Sequence, residues 1–107
     1  MNDFKRITQI VKAVLEQHPQ TRNSDSFLYL KVLHIIGRGK GINTNNMTIE
    51  EFLLWHNKLG FPGFETVRRT RQKIQAANPE LAACEKVNVM RLENEKEFRN
   101  FAKRFLI

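Results

Sequence analysis

Cysteine is nearly absent from this chain of 107 residues, and long apolar runs are absent altogether. The lone Cys84 excludes an internal disulfide framework and a cysteine-rich zinc site. No stretch approaches the roughly 18 apolar residues that a membrane-spanning helix needs. The first 14 residues lack the basic, apolar and small-residue segments of a secretory signal. The length fits one domain, which we expect to be a cytoplasmic protein.

Patterns that would indicate catalysis or metal binding are also missing. The three histidines, His18, His34 and His56, fall in different predicted elements, and no His-Glu-x-x-His or Cys-x-x-Cys spacing occurs. Nothing near Cys84 would activate its thiol, and its place on an apolar stripe predicts a small buried side chain. A helix cap and a solvated helix face account for the paired acidic residues. We therefore predict no enzyme activity, no metal and no cofactor.

Acidic side chains are scarce relative to basic ones. Eleven Asp and Glu stand against eighteen Lys and Arg, so the net charge is +7. A domain this basic suggests a polyanionic partner, most often nucleic acid and less often a membrane surface or an acidic protein. A generally basic surface without a partner is the alternative. The charge is concentrated: residues 61–77 carry +3 in seventeen positions, against +3 for residues 1–60 and +1 for residues 78–107.

Apolar residues at three- and four-residue spacing predict an all-α fold of about five helices in a single domain, residues 1–107. The first helix has the stripe Phe4, Ile7, Val11, Val14 and Leu15. The second begins at Ser24 or Asp25 and is apolar nearly all round, which predicts a central position, and Gly37 stands where a C-terminal glycine is expected.

The third and fourth helices have clear boundary signals. Thr48 and Glu51 form a capping box that opens a helix over residues 48–59. Its apolar face is predicted to consist of Ile49, Phe52, Leu53, Trp55, His56 and Leu59. The fourth helix spans residues 64–77 and stops before Pro79. The glycine-rich segment 37–46 lacks nucleotide-binding spacing and a preceding strand, so we expect a mobile surface loop.

The last segment has two interpretations at its start. Residues 87–92 alternate weakly and could form a strand, as in a winged-helix variant, but a helix explains more of the pattern. Its stripe is Cys84, Val87, Arg91, Asn94, Phe98, Phe101 and Phe105. We expect Phe98, Phe101, Phe105 and the terminal Leu106 and Ile107 to pack on their own subunit, with a homodimer seam as the alternative.

The fourth helix combines an apolar stripe with a basic face. Val67 and Ile74 define the stripe on a helical wheel, and Arg71 falls near its edge, where it would reach a neighbouring helix or a carboxylate. The opposite side carries Thr66, Arg68, Arg69, Gln72 and Lys73. After a capped helix and a short turn, this arrangement predicts a helix-turn-helix made of residues 48–59 and 64–77.

The side-chain types suit double-stranded DNA. Arginine can bind guanine in a fork, glutamine can pair with adenine, and lysine or threonine can bind phosphate oxygens. We predict that Thr66, Arg68, Arg69, Gln72 and Lys73 contact the major groove. Arg38 and Lys40 would add phosphate contacts from the loop.

Most of the chain resembles a family of small, largely uncharacterised proteins encoded by bacteriophages and prophages of Gram-positive bacteria. The resemblance lies in Thr21–Leu30, in Phe64–Gln75 and in Asn78-Pro79-Glu80-Leu81. It implies a phage origin, a bacterial host cell and a helical DNA-binding domain, with no established activity. We expect a role in transcription regulation or phage DNA metabolism. The alternative is a phage factor, such as an anti-CRISPR protein, that inhibits a host protein through the same basic face.

Overall fold

The computed structural model describes residues 3–105 and, within them, all side chains except those of residues 3–5, 102 and 105. The described chain contains no strand, and the predicted all-α architecture of five helices is confirmed. The α-helices are α1 (Asp3–Gln17), α2 (Asp25–Gly39), α3 (Ile49–Trp55), α4 (Phe64–Ala77) and α5 (Glu85–Phe105). Short 3-10 helices at Pro19–Asn23, Thr44–Asn46 and Pro79–Leu81 lie in the connections.

Helices α1, α2 and α4 form the body of the fold. Their apolar stripes meet in one core, which Phe61 and Leu81 complete from the connections. The predicted stripes contribute Val11, Val14 and Leu15 from α1 and Val67 and Ile74 from α4. From α2, for which no stripe was predicted, the core takes Leu28, Val32, Leu33 and Ile36. Helix α2 packs against both α1 and α4. The prediction of a central helix holds for one face only, because Phe27, Leu30 and Ile35 are exposed.

Two helix starts have the predicted caps. Ser24 accepts a hydrogen bond at Oγ from the Phe27 backbone N–H at 3.2 Å. Thr48 Oγ1 accepts from the Glu51 N–H at 3.0 Å, and Glu51 Oε1 accepts from the Thr48 N–H at 3.2 Å, which completes the capping box. Each cap satisfies backbone donors that the first turn leaves free.

The prediction of a loop that begins at Gly37 is wrong, because parts of the glycine-rich segment are helical. Helix α2 continues to Gly39, and Gly37 is buried inside it. A Cβ at Gly37 would lie 2.8 Å from the Ile42 carbonyl oxygen and 2.8 Å from Thr44 Cγ2. The Ile42 N–H donates to the Gly37 carbonyl at 2.8 Å. The glycine is therefore needed for close backbone approach rather than for ending the helix.

Helix α3 is short and weakly attached. It ends at Trp55, not at residue 59, and none of its residues is buried. Phe52 is its inward side chain and forms an edge-to-face contact with Tyr29. Ile49 is 81% exposed and Leu53 is 64% exposed. The predicted apolar face of this helix is therefore largely open, because only part of it reaches the aromatic cluster around Phe61.

Helix α5 confirms the helical interpretation of residues 87–92 and corrects two other predictions. Cys84, expected to be buried, is exposed just before the helix begins. Phe98 is 69% exposed and Phe101 is 56% exposed, so neither ring is buried in the core of its own subunit as expected. The side chain of Phe105 and the residues Leu106 and Ile107 lie outside the described part of the chain. Over the described residues, no helix is both long and apolar enough to cross a membrane.

Candidate nucleic-acid interface

Helix α4 is fixed in the fold by one face. Val67, Thr70, Arg71 and Ile74 are its buried residues. Thr70 donates its hydroxyl to the Thr66 carbonyl oxygen at 2.7 Å, so this buried polar group is satisfied within the helix. The face that packs on α1 and α2 is therefore part of the core, and only the rest of the helix surface is open to solvent.

Arg71 belongs to the buried face and pairs with Asp25 of α2. Its Nε lies 2.7 Å from Asp25 Oδ1 and its Nη2 lies 3.2 Å from Oδ2, a two-point contact. Its Nη1 also donates to Gln75 Oε1 at 3.2 Å. The Arg71 side chain is only 7% exposed. The prediction that Arg71 reaches a carboxylate is confirmed, and its charge is not offered to a ligand.

A second arginine shares the same carboxylate from α5. Arg91 Nη2 lies 3.6 Å from Asp25 Oδ1, and Arg91 Nη1 donates to the Arg22 carbonyl oxygen at 3.2 Å. Burial, and then the neighbouring charge of Arg71, lower the pKa of Arg91. Gln75 donates to the same Arg22 carbonyl at 3.3 Å. These polar contacts join α2, α4 and α5.

Glu65 organises the start of the exposed face. It accepts a two-point contact from Arg68, with Nε to Oε2 at 2.9 Å, and a further hydrogen bond from Arg69 Nε at 3.2 Å. The hydrogen bond and charge of Arg68, followed by those of Arg69, lower the pKa of Glu65 from 4.5 to about 2. The same contact raises the pKa of Arg68. Glu65 therefore stays ionised and offsets part of the basic charge beside it.

The outer face of α4, defined as Arg69, Gln72 and Lys73, is exposed. Arg69 is 71% exposed despite its contact with Glu65. Within the part of the chain that the structure describes, no ion pair or side-chain hydrogen bond engages Lys73 or Gln72. Thr66 is half-buried at the edge of this face. Side chains four positions apart, such as Arg69 and Lys73, are neighbours on a helix surface.

Part of the predicted DNA-contact set faces α5 instead. A groove of ≈ 1050 Å³ runs between α4 and α5, and Arg68 and Gln72 line its α4 side. Asn94 and Phe98 line the other side. Arg68 is 34% exposed and is held by Glu65. Arg68 therefore faces the groove, while the exposed Gln72 belongs both to the groove and to the outer face.

The two predicted loop contacts lie in other places. Arg38 lines a groove with His34 and with the segment 41–45. Lys40 lines a different groove with Arg6 and Gly60. No α4 residue lines either groove. The contribution of Arg38 and Lys40 to a surface shared with α4 stays a prediction.

The sequence contained signals for some of these features and none for others. The position of Arg71 at the stripe edge indicated an acidic partner, but Asp25 had been assigned to the start of α2 and not to a buried ion pair. Gln75 and Arg91 were not recognised as linking residues, because helix periodicity does not identify long-range hydrogen-bond partners. Residues 26–49 contain Lys31, Arg38 and Lys40 and no acidic residue, a simple signal of a second basic region.

Neither a metal site in the described residues nor a similar known protein identifies what this surface binds. In residues 3–105, no group of three or more His, Cys, Asp or Glu side chains could hold a metal ion. His56 Nδ1 lies 3.1 Å from the Phe52 carbonyl oxygen and its ring stacks on Phe52, which gives it a local structural role. Comparison with known proteins finds no matching family, no matching curated protein and no matching solved structure at a significant level.

Proposed function

We propose that this protein binds double-stranded DNA through the outer face of α4. The observation that carries the proposal is the pair of exposed cations Arg69 and Lys73, one helical turn apart on a helix whose other face is anchored in the core. A rigid helix with basic residues on its free side is a common means of reaching a major groove. The pairing of Arg71 with Asp25 leaves this face as the functional part of the charge-rich segment.

The side chains of the outer face can contact both the phosphate backbone and the bases of DNA. Lys73 would bind a phosphate as a compact point charge, and Arg69 can bind either a phosphate or the O6 and N7 of guanine. Gln72 can pair with adenine from the edge of the face. Arg68 would join them only after leaving Glu65, so we assign it a smaller contribution than the sequence suggested.

The assignment as a helix-turn-helix remains part of the proposal. Residues 56–63 separate α3 from α4, a longer connection than the three or four residues usual in that motif. Helix α4 rests on α1 and α2. On the resemblance to phage proteins we propose a role in transcription regulation or phage DNA metabolism in a bacterial cytoplasm.

Equilibrium binding to a labelled duplex tests the proposal. At low salt the native chain should bind, and Lys73→Ala should weaken binding about threefold to tenfold because one phosphate contact is lost. The matched control is Lys12→Ala, which removes the same charge from an exposed position on α1. Absence of duplex binding at low salt would contradict the proposal, as would equal losses in both variants.

The second candidate is binding to a host protein, and the open face of α3 favours it. Ile49, Leu53 and Leu54 are each more than half exposed, and contiguous exposed apolar side chains often mark a protein interface. A host protein retained at high salt, lost with Leu53→Glu and kept with Lys73→Ala, would support this candidate. Such a result without duplex affinity would replace the DNA proposal.

A further inference from the structure

The C-terminal half of α5 carries an apolar stripe that continues beyond the body of the fold. Arg91 attaches this stripe to the body through the Arg22 carbonyl oxygen. From Arg91 the stripe continues at steps of three, four and three residues with Asn94, Phe98 and Phe101. Phe98 is 69% exposed and Phe101 is 56% exposed. Two aromatic rings exposed on the same stripe form an apolar patch, and such patches often mark protein interfaces.

The charges beside this stripe are arranged in a self-complementary way. With Arg91 and Phe98 at heptad position a, and Asn94 and Phe101 at position d, Glu97 and Arg104 both fall at position g, on the same flank. They are seven residues apart, or about 10.5 Å along the helix, too far to pair within one chain. Within the described residues neither forms an ion pair, whereas Glu95 nearby pairs with Arg99 at 2.6 Å.

An antiparallel two-fold arrangement brings these two charges together. It places position g of one helix opposite position g of the other, so Glu97 faces the partner subunit's Arg104 and Arg104 faces the partner subunit's Glu97. The same register stacks Phe98 on the partner subunit's Phe101. In a parallel pair, position g would face position e of the next heptad, which is Ala102 and offers no charge. The charges of Glu97 and Arg104 at position g therefore favour the antiparallel arrangement.

The groove between α4 and α5, of ≈ 1050 Å³, opens beside Phe98 and Asn94. Its lining from α4 includes Arg68 and Gln72, which are polar side chains able to border an apolar contact. We propose that the chain forms an antiparallel homodimer through α5, with Phe98 and Phe101 as its centre and two Glu97–Arg104 ion pairs at its flanks.

This dimer does not depend on DNA binding. It uses α5, whereas the proposed DNA contacts use the outer face of α4. Measurements of mass in the absence of nucleic acid therefore test the dimer separately, and a monomeric protein could still bind DNA. If both hold, the dimer presents two basic α4 faces related by a two-fold axis, the arrangement that suits a palindromic site.

Charge reversal at the flanks provides the test, with mass measured by sedimentation equilibrium over a wide range of concentrations. The native chain should reach twice its 12.6 kDa monomer mass. Glu97→Arg and Arg104→Glu should each weaken the dimer about tenfold or more, since two attractive pairs become repulsive. The double variant with both changes should recover the native affinity, because its pairs are reversed but again opposite in sign.

Two further variants keep the result interpretable. Lys96→Glu makes the same change of charge as Arg104→Glu on the side of α5 away from the stripe, and should leave the dimer unchanged. Phe98→Ala should give a folded monomer, with folding checked by far-ultraviolet circular dichroism. A native chain that stays monomeric at every concentration would overturn the proposal. The antiparallel register would be overturned if the single charge reversals left the dimer affinity unchanged, or if the double variant did not recover the native dimer affinity.

Discussion

Helices α4 and α5 carry apolar stripes of the same period, yet only the stripe of α4 is buried. Val67 is 1% exposed and Ile74 is 6% exposed, whereas Phe98 in α5 is 69% exposed. The difference arises because α4 lies against α1 and α2, while α5 is attached through polar contacts at Arg91 and runs on past them. Helical periodicity thus identifies a face that needs cover, and the tertiary arrangement decides whether the same chain supplies it.

The strongest test of this comparison removes the ion pair that locks α4 to α2. Arg71→Met should cost about 3 kcal/mol of unfolding free energy, because Asp25 keeps its charge in a largely buried place without its two-point partner. Arg69→Met is the matched control, since its exposed contact with Glu65 should change stability by no more than about 0.5 kcal/mol. Urea denaturation measures both. Similar losses would show that burial does not distinguish the two arginines.

Truncating one apolar side chain from each stripe tests the comparison directly. Ile74→Ala should lower the unfolding free energy by about 3 kcal/mol, because it leaves a cavity in a closed core. Phe98→Ala should change it by no more than about 0.5 kcal/mol at a dilution where the chain is monomeric. A large loss at Phe98 would mean that the ring packs within its own subunit after all.

Local signals in the sequence were enough for most helix boundaries and for the core. The capping box at Thr48 and the stripes of α1 and α4 are encoded by neighbouring residues, so they could be predicted without the fold. The buried face of α2 could not, because this helix is apolar nearly all round. The interior position of Gly37 could not, because it depends on the return of Ile42 and Thr44 to the helix surface. Cys84 was placed on a stripe that is real but lies outside the core at that point.

The candidate site was only partly predictable for the same reason. A helical wheel separated Val67 and Ile74 from the basic side of α4 correctly. The pairing of Glu65 with Arg68, three positions apart on the same helix, is also open to prediction from the sequence. The groove that Arg68 borders with α5 is not, because it requires the position of another helix. The early end of α3 at Trp55 was equally hidden, since Leu59 continues the apolar pattern into a turn.

Replacing Glu65 should increase the contribution of α4 to DNA binding and leave that of α5 unchanged. Glu65→Gln removes the carboxylate that engages Arg68 and Arg69, so both cations become more available to phosphates. We expect duplex affinity at low salt to rise about threefold to tenfold, with a steeper dependence on salt. The control is Glu16→Gln, which removes the same charge from an exposed position on α1 and should leave DNA affinity nearly unchanged. An unchanged affinity in Glu65→Gln would place the DNA contacts elsewhere.

The smallest expected effect is the dependence of stability on pH through Glu65. Its pKa is about 2 in the folded chain against an ordinary 4.5, so its ionised form favours folding. This contribution is fully present above the ordinary pKa and is lost as pH falls through the folded value. The native chain should therefore be slightly more stable than Glu65→Gln at neutral pH, and the difference should shrink between pH 4.5 and 2. Denaturant midpoints at several pH values measure this, and a constant difference would contradict it.

The central claim is that the free face of α4, and not the basic character of the whole surface, binds duplex DNA. The salt dependence of duplex affinity for the double variant Arg69→Ala with Lys73→Ala tests it most directly. The slope of log affinity against log salt should fall by about 2, because each lost phosphate contact removes about 0.9 from it. A double variant at two exposed cations elsewhere, Lys12→Ala with Lys86→Ala, should keep the native slope. Equal slopes for the native chain and the α4 variant would contradict the account.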